Sequence, residues 1–385
     1  MKKICVITGS RAEYGLLSRV MRLIKEDMDL QLQIIATNMH LSVEFGETFR
    51  DIEADGFMID WKIPILSSTD TTNATAKSVG MGVCGFSDAY DDLQPDMILL
   101  LGDRYEMLAA VSAALFYKIP VIHVHGGEIT EGAYDDAIRH AITKMSHLHF
   151  TATEEYRRRV IQMGEDPKTV YNVGALGCDN IRLIPLMDNE AIEKSLNFGL
   201  DRKTILVTYH PVTMENHTAE TQFKALLSAI DTFDDLRVIF TMPNSDTDSL
   251  IIMDLIKEYA TKNPRKTIWF TSLGIKCYLS VLQYIGAVVG NSSSGIIEVP
   301  SFHIPTLNIG DRQKGRIASA SVIHCLPEKD VIKEKLAMIL QSDFINSLKD
   351  VVNPYDKPNT AQEIVRIIKE NADIRVTKKF YDLTV

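Results

Sequence analysis

The sequence predicts an α/β protein with two doubly wound domains, each a parallel sheet covered by helices on both faces. The first observation is that short β-rich runs alternate with longer helical patterns along the chain, an order typical of parallel sheets. The second is that the same alternation starts again in the second half of the sequence. The third is the length of 385 residues, which exceeds what one hydrophobic core usually serves.

Each half of the chain contains five short apolar runs that predict strands, with helical patterns between them. The domain boundary is expected near residues 174–186, where the strand pattern gives way to Pro185, Asp188 and Asn189. We therefore assign residues 1–180 to the first domain and residues 181–358 to the second. The predicted strands are 4–8, 33–37, 97–101, 121–124, 149–152, 204–208, 237–241, 267–270, 287–290 and 306–309, and the predicted helices are 14–25, 74–93, 106–117, 220–232, 246–262 and 276–284.

The charge of the chain limits the partners it can have. It carries 41 Lys and Arg against 51 Asp and Glu, a formal net charge of −10. This acidic balance argues against broad polyanion binding, and so against a nucleic-acid partner. It leaves room for a local cationic pocket that binds a small anion such as a nucleotide.

The sequence also indicates a cytoplasmic protein with no membrane partner. No apolar run approaches the roughly 20 residues needed to cross a bilayer. The apolar run after Lys2 and Lys3 is too short for a signal peptide, and the charged Arg11 comes soon after it. The five cysteines are odd in number, widely scattered and without metal-ligand spacing, so neither a disulfide framework nor a structural zinc site is expected.

Polar residues that come directly after the strands are the candidates for a site, because open α/β sheets bind ligands at the carboxyl ends of their strands. After the first strand, Gly9 permits a tight turn, and Arg11 begins a helix whose free N–H groups can bind an anion. A plain strand–helix turn explains that segment equally well. Asp103 and Arg104 are either a general base beside a phosphate donor or a helix N-cap with a surface ion pair.

The segment with most ionisable groups runs from His123 to His140. We expect His123 and His125 to lie on one face of a strand, since one residue separates them. Glu128 and Asp135 add carboxylates within a short loop. Acid–base chemistry is favoured over a metal site, because no HExxH or comparable spacing is present.

In the second half, a run of small residues at 290–295 joins a predicted strand to a helix. Serine hydroxyls and N–H groups at a helix N-terminus bind a diphosphate without net positive charge on the chain. An N-cap explains one of the three serines, so an anion site is favoured there. The other candidates in this half are His210, Asn244, Glu298 and Arg312.

Taken together, these segments resemble the hydrolysing UDP-N-acetylglucosamine 2-epimerases of bacterial sialic acid biosynthesis. The resemblance is carried, in order along nearly the whole chain, by residues 9–15, 102–106, 123–128, 138–144, 210–211, 290–295 and 310–316. It implies a fold of the GT-B type, with two Rossmann-like domains facing a cleft that holds the nucleotide sugar. It also implies that the C-terminal helix and tail, residues 359–385, pack back toward the N-terminal domain.

The resemblance implies a net hydrolysis with inversion at C2 of the sugar. UDP is lost by elimination across C1–C2 to leave 2-acetamidoglucal, and water then adds to give N-acetylmannosamine. This chemistry requires acids and bases at the sugar and no cofactor or metal. The implied partner is a UDP-sugar substrate, and the implied assembly is a homodimer or homotetramer.

Residue roles are also implied by the resemblance. Asp103 and Asp135 are the expected acid–base carboxylates at the sugar. His125 stands where many relatives have Glu, which leaves open which group abstracts the C2 proton, and Glu128 is a candidate to orient or replace the missing carboxylate. The residues expected to bind UDP are Arg11, Arg104, His210, Asn244, Ser292, Ser293, Glu298 and Arg312.

Four alternatives remain open from the sequence. A hydrolysing 2-epimerase acting on UDP-N,N'-diacetylbacillosamine shares the UDP motifs, as does a non-hydrolysing epimerase. A GT-B glycosyltransferase shares the fold but requires an acceptor. A non-catalytic nucleotide-sugar sensor is disfavoured, since mere binding does not call for several titratable groups at one sugar.

Overall fold

The computed structural model describes residues 1–67, 69–215 and 217–383, and the contacts divide the chain into two compact units. Unit 1 consists of Met1–Glu128, Asp135–Asn180 and the chain from Lys357 onward. Unit 2 consists of Ile129–Tyr134 and Ile181–Asp356.

This partition differs from the predicted domain boundaries at two places, one of them the end of unit 2 at Asp356 rather than at residue 358. The segment Ile129–Tyr134 lies within the range assigned to the first domain, yet it belongs to unit 2. Its backbone is held by unit 2 residues: the Glu131 N–H donates to the Lys314 carbonyl at 3.0 Å, and the Tyr134 N–H donates to the Thr213 hydroxyl at 3.1 Å. The sequence alone does not show that this segment belongs to unit 2, because its place is set by hydrogen bonds to residues far away in the chain.

In unit 1 the described residues form a seven-stranded parallel sheet with the order β3-β2-β1-β4-β5-β6-β7. Helix α7 spans the boundary between the two units. The strands are β1 (Lys2–Thr8), β2 (Leu30–Thr37), β3 (Trp61–Ile63), β4 (Met97–Leu101), β5 (Val121–Val124), β6 (Leu148–Thr151) and β7 (Val170–Asn172), and the helices are α1 (Arg11–Glu26), α2 (Phe49–Ala54), α3 (Thr72–Leu93), α4 (Tyr105–Tyr117), α5 (Asp135–Met145), α6 (Glu154–Gln162) and α7 (Leu176–Leu183), with 3-10 turns at Asn38–Leu41 and Pro167–Thr169.

Helices cover both faces of this sheet. Successive residues of a strand point to opposite faces, and β1 shows the result. Ile4 and Val6 pack in a core with the buried side of α1 and the C-terminal helix Thr360–Glu370. Cys5 and Ile7 pack in a second core with α3 and α4. Unit 1 is therefore doubly wound, as predicted.

In unit 2 the described residues form a six-stranded parallel sheet with the order β10-β9-β8-β11-β12-β13. Leu206, Ile239 and Val288 are buried in its core. The strands are β8 (Thr204–Thr208), β9 (Arg237–Thr241), β10 (Thr267–Phe270), β11 (Ala287–Gly290), β12 (Thr306–Ile309) and β13 (Val322–Cys325), and the helices are α8 (Asn189–Leu196), α9 (Ala219–Ile230), α10 (Ser249–Lys262), α11 (Gly274–Leu282), α12 (Ser294–Ile297), α13 (Lys329–Ile339) and α14 (Ser342–Ser347), with a 3-10 turn at Val299–Phe302 and the C-terminal helix numbered α15.

The ten predicted strands all fall on observed strands of these two sheets. Strands β3, β7 and β13 were not predicted, and each lies at the edge of its sheet. The fold class expected from the sequence, α/β with two doubly wound domains, is confirmed. Across residues 1–67, 69–215 and 217–383, no helix is both long and apolar enough to cross a membrane.

Candidate active site

Three neighbouring strands of unit 1 bring its candidate residues to one edge of the sheet. Strands β1, β4 and β5 are adjacent and parallel, with Val6 paired to Leu99 and Leu101 paired to Val124. Their carboxyl ends therefore lie side by side. The residues just beyond these ends include Gly9, Asp103 with Arg104, and His125.

Arg139 on α5 forms hydrogen bonds to several segments at this edge of the sheet. It is fully buried, and its Nη1 donates to the Glu128 carbonyl at 2.8 Å and to Asp136 Oδ1 at 3.2 Å. Its Nη2 donates to the Asp103 carboxylate. Asp135 is buried one helical turn before it, as the first residue of α5. One guanidinium thus holds the end of β4, the loop after β5 and the start of α5 by charge-assisted hydrogen bonds.

The two histidines of β5 do not share a face, which corrects that expectation. The strand ends at Val124, and His125 has a φ of 67°, a left-handed conformation that costs a non-glycine residue about 1–3 kcal/mol. His123 stays in the strand, with its Nε2 2.8 Å from the Gly102 carbonyl. Burial lowers the pKa of His123 to about 3, so it is a neutral, structural histidine.

His125 and Glu128 form a pair in the turn after β5. Nδ1 of His125 lies 3.0 Å from Oε1 of Glu128, and both side chains are nearly buried. Nε2 of His125 is buried and has no hydrogen-bond partner among the described residues. A proton on Nδ1, facing the carboxylate, leaves the lone pair of Nε2 available to accept a proton. The Nδ1–Oε1 contact is within ion-pair distance but does not meet hydrogen-bond geometry, so the pair is compatible with a general base that has a carboxylate beside it.

Arg104 lies among carboxylates. Its Nε donates to Glu106 Oε1 at 2.8 Å and lies 3.9 Å from Glu13 Oε1. The Gly9 N–H donates to the other oxygen of Glu13 at 2.7 Å, and a side chain at Gly9 would overlap the Glu106 carboxyl group. The turn after β1 therefore needs glycine because Glu106 packs against it.

Arg11, also predicted to bind UDP, is the first residue of α1. Its Nε lies 3.0 Å from Asp51 Oδ2, and the arginine side chain is about one third exposed. Ser10 is the N-cap of the same helix and accepts from the Glu13 N–H at 3.4 Å. The segment is thus both a capped helix start and a place where cationic and N–H donors occur together.

Asn291 organises the carboxyl ends of β8 and β11 in unit 2. Its side-chain oxygen accepts from the His210 N–H at 2.7 Å, and its Nδ2 donates to the His210 carbonyl at 2.8 Å. Its own carbonyl accepts from Gln313 Nε2 at 2.9 Å and from Arg312 Nη1 at 3.3 Å. One buried amide therefore fixes the His210 loop and the loop after β12.

His210 is oriented as a donor. The Asn244 N–H donates to His210 Nδ1 at 3.3 Å, which assigns the proton of the neutral ring to Nε2. Asp246 is buried, with Oδ2 3.9 Å from His210 Nδ1 and 3.7 Å from Arg312 Nη2. Asn244 thus contributes its backbone at the observed geometry, and Asp246 lies between the imidazole and a guanidinium.

The serine run 292–294 joins β11 to α12. Ser293 is the N-cap of this short helix, and Ser294 Oγ lies 2.6 Å from the Tyr278 hydroxyl. Ser292 and Ser293 are half-buried, and Glu298 is buried directly after the helix. The hydroxyls of Ser292 and Ser293 are therefore at the surface of the loop, whereas that of Ser294 is occupied within it.

Several residues of these clusters had no role assigned from the sequence. They are all buried and polar, and each lies within a few residues of a strand end or on the first turns of a helix. Arg139 had a signal, since it follows Asp135 by four residues, a spacing that places two side chains on one face when the segment is a helix. Within the described ranges, no three His, Cys, Asp or Glu side chains are grouped as a metal site. The residues without a role from the sequence are Glu13, Glu106, Arg139, Asp246, Asn291 and Gln313.

Two doubly wound parallel sheets with polar side chains after their central strands place the protein among the α/β proteins that bind ligands at the carboxyl ends of their strands. Residues 22–369 match the UDP-N-acetylglucosamine 2-epimerase family. The chain belongs to this family, and within it to the hydrolysing 2-epimerases of nucleotide sugars. The family predicted from the sequence is therefore confirmed.

Two curated proteins and one solved structure are similar to this chain. The chain is 45% identical, over 84% of its own length and 84% of the other, to a hydrolysing GDP/UDP-N,N'-diacetylbacillosamine 2-epimerase of Campylobacter jejuni. It is 40% identical to the polysialic acid biosynthesis protein P7 of Escherichia coli, over 100% of this chain and 98% of that one. A solved UDP-N-acetylglucosamine 2-epimerase of Neisseria meningitidis, bound to its UDP-sugar, has the same fold: the TM-score is 0.78 at 18% identity, covering 96% and 100% of the two chains.

Proposed function

We propose that the protein converts UDP-N-acetylglucosamine and water to UDP and N-acetylmannosamine by elimination and hydration. The observation that carries this proposal is the pairing of His125 with Glu128 beside the Asp103–Arg139 contact. These groups provide a base and a separate carboxylate at one edge of the unit 1 sheet, as an elimination with a subsequent hydration requires.

In the elimination, Nε2 of His125 takes the proton from C2 while the C1–O bond breaks and UDP leaves with the bonding electrons. Glu128 stabilises the imidazolium that forms, since its carboxylate lies 3.0 Å from Nδ1.

In the hydration, a proton is delivered to C2 from the opposite face of the sugar and a hydroxide equivalent adds to C1. Asp103 and Asp135 supply these two proton transfers. Arg139 holds Asp103 in place, and Asp135 is fixed by its position at the start of α5. Inversion at C2 results because the proton is taken from one face and returned to the other.

Unit 2 supplies most of the side chains proposed to bind UDP. Nε2–H of His210 and the guanidinium of Arg312 are donors suited to phosphate oxygens, with Ser292 and Ser293 adding hydroxyls. Glu298 accepts from the ribose hydroxyls. Arg11, Arg104 and Asn244 complete the UDP-binding set.

The test is to incubate the purified protein with UDP-N-acetylglucosamine in deuterated water and to identify the products by NMR. Free UDP and N-acetylmannosamine with deuterium at C2 are expected. Retention of the original C2 hydrogen would contradict the elimination. Release of UDP-N-acetylmannosamine without free UDP would show a non-hydrolysing epimerase instead.

UDP-N,N'-diacetylbacillosamine is the second candidate substrate, and the 45% identity to a relative named for that sugar favours it. The 40% identity to a polysialic acid biosynthesis protein favours N-acetylmannosamine as the product, which would supply sialic acid synthesis. Comparing kcat/KM for the two UDP-sugars under the same conditions decides between them. A ratio above about tenfold, or about 1.4 kcal/mol of transition-state discrimination, identifies the preferred sugar.

A further inference from the structure

Glu13, Arg104 and Glu106 form a buried cluster with unbalanced charge. Glu13 lies on α1, Arg104 is the N-cap residue of α4, and Glu106 lies in the first turn of α4. Their side chains are 8%, 8% and 0% exposed. Two carboxylates thus face one guanidinium away from water, and an uncompensated buried charge is strongly unfavourable. A single proton on the carboxylates makes the cluster neutral.

Three further charged or titratable groups near this cluster have their contacts given among the described residues, and none of these contacts places a second positive charge on the two carboxylates. Asp103, which precedes Arg104, adds a further carboxylate, and its guanidinium partner is Arg139. Arg11 on α1 faces Asp51. His40 contacts this region through its backbone N–H, which donates to the Gly9 carbonyl. Burial lowers the pKa of the His40 imidazole to about 4, so it is neutral at physiological pH.

The two carboxylates differ in their contacts with Arg104. Glu106 accepts a direct hydrogen bond from the guanidinium at 2.8 Å. Each carboxylate has one buried oxygen without a hydrogen-bond partner among the described residues, Oε1 of Glu13 and Oε2 of Glu106. Glu13 Oε1 is 3.9 Å from the same guanidinium nitrogen, and the other oxygen of Glu13 accepts only from the uncharged Gly9 N–H at 2.7 Å. The proton therefore belongs on Glu13. Burial and the nearby Glu106 carboxylate raise the pKa of Glu13 to about 8, against the opposing effect of Arg104.

We propose that Glu13 is a positioning residue that carries a proton when the enzyme binds UDP, so that Arg104 faces one ionised carboxylate in its cluster and attracts the diphosphate. This inference rests on the proposed function through the assignment of Arg104 to UDP binding. Loss of the proton places a second negative charge beside Arg104, which weakens its attraction for an anion.

The pH dependence of UDP binding has a definite sign. Glu13 is protonated below its pKa of about 8, so UDP affinity is highest there and falls as the pH rises through that value. At pH 9 about one tenth of the molecules keep the proton, and the apparent Kd for UDP rises about tenfold. The terminal phosphate of UDP, with a second pKa near 6, is already ionised throughout this range.

The experiment measures the Kd for UDP by calorimetry from pH 7 to pH 9 with the full-length protein and the Glu13→Gln variant. Glutamine keeps the size of the side chain and an oxygen that can accept from the Gly9 N–H. The wild-type Kd is expected to rise about tenfold and the variant Kd to stay constant. Glu26→Gln, at an exposed position of the same helix, is the matched control and should behave as the wild type.

A second readout distinguishes this role from a purely structural one. At pH 8.5, UDP binding to the wild type should take up about three quarters of a proton, measured from binding enthalpies in two buffers with different ionisation enthalpies. Glu13→Gln should take up none, whereas a structural role would change only its melting temperature. A rise in Kd that persists in Glu13→Gln overturns the inference, as does a flat wild-type profile. Failure of the wild type to bind UDP at any pH would instead overturn the proposed function.

Discussion

Unit 1 and unit 2 have the same kind of doubly wound sheet, but the residues at their strand ends differ in chemistry. At the ends of β1, β4 and β5, unit 1 has mostly ionisable side chains. His125 lies beside Glu128, Arg139 contacts Asp103, and Arg104 contacts Glu106. At the ends of β8 and β11, unit 2 relies mainly on the neutral amides of Asn291 and Gln313. Groups that change charge can move protons, whereas amides hold a ligand without responding to pH.

This difference indicates that the two units, although they share one kind of fold, contribute different chemistry. Under the proposed function, the acid–base residues Asp103, His125 and Glu128 lie in unit 1, and most of the residues assigned to UDP lie in unit 2. His210 with Asp246 is the exception in unit 2, and the geometry there assigns the imidazole to hydrogen-bond donation. Substitutions of the acid–base residues should therefore lower kcat, and substitutions of the unit 2 serines should weaken UDP binding.

The largest effect is expected for Asp103→Asn in unit 1. Loss of a positioned acid or base typically costs 10²–10⁴-fold, so we expect kcat to fall about 1000-fold while the Kd for UDP changes less than about threefold. Steady-state kinetics and calorimetry measure the two quantities. Asp136→Asn is the matched control, because Asp136 also contacts Arg139 but has no assigned proton transfer. An equal loss in both variants would show that only the Arg139 contacts matter.

A smaller effect is expected for Glu128→Gln. The amide keeps a hydrogen-bond acceptor near His125 Nδ1 but no longer stabilises the imidazolium, so kcat should fall about 100-fold. Combined with His125→Ala, the same substitution should cost almost nothing more, because the two residues act as one unit. Additive losses in this double-mutant cycle would exclude the dyad.

The smallest effect is expected in unit 2. Ser293→Ala removes one hydroxyl hydrogen bond to a charged group, so the Kd for UDP should rise about tenfold with kcat at saturation unchanged. Ser294→Ala is the control, since the Ser294 hydroxyl is engaged by Tyr278 at 2.6 Å and its loss should leave UDP affinity as it is. A drop in kcat without a change in Kd would place Ser293 in the chemistry and remove the contrast between the units.

The central strands were predictable and some edge strands were not, for a physical reason. β4, β5, β11 and β12 are buried along their whole length; β4 and β11 appear in the sequence as continuous apolar runs, and β5 and β12 are mostly apolar with one or two polar residues. The unpredicted edge strands are only partly buried, because one side has no neighbouring strand. Their mixed composition resembles that of loops.

The residues of the candidate site also divide into those that the sequence predicted and those that it did not. Asp103 and His125 were predicted as candidates from their position after strands, which the sequence displays, and Asp135 was predicted from the family resemblance. The role of Glu13 was not found, because its significance depends on the distance to Arg104 and on burial. The expectation that His125 shares a strand face with His123 was wrong, since the left-handed backbone of His125 is not signalled by its residue type.

The sequence by itself determined the fold class, the family and the segments that form the site, because these depend on local apolar patterns and on motifs in a fixed order. Only the tertiary structure decided the partners: Arg139 with Asp103, His125 with Glu128, Glu13 beside Arg104, and the segment Ile129–Tyr134 within unit 2. A side chain's charge, tautomer and freedom depend on the groups within a few ångströms of it. In a folded chain those neighbours come mostly from elsewhere in the sequence.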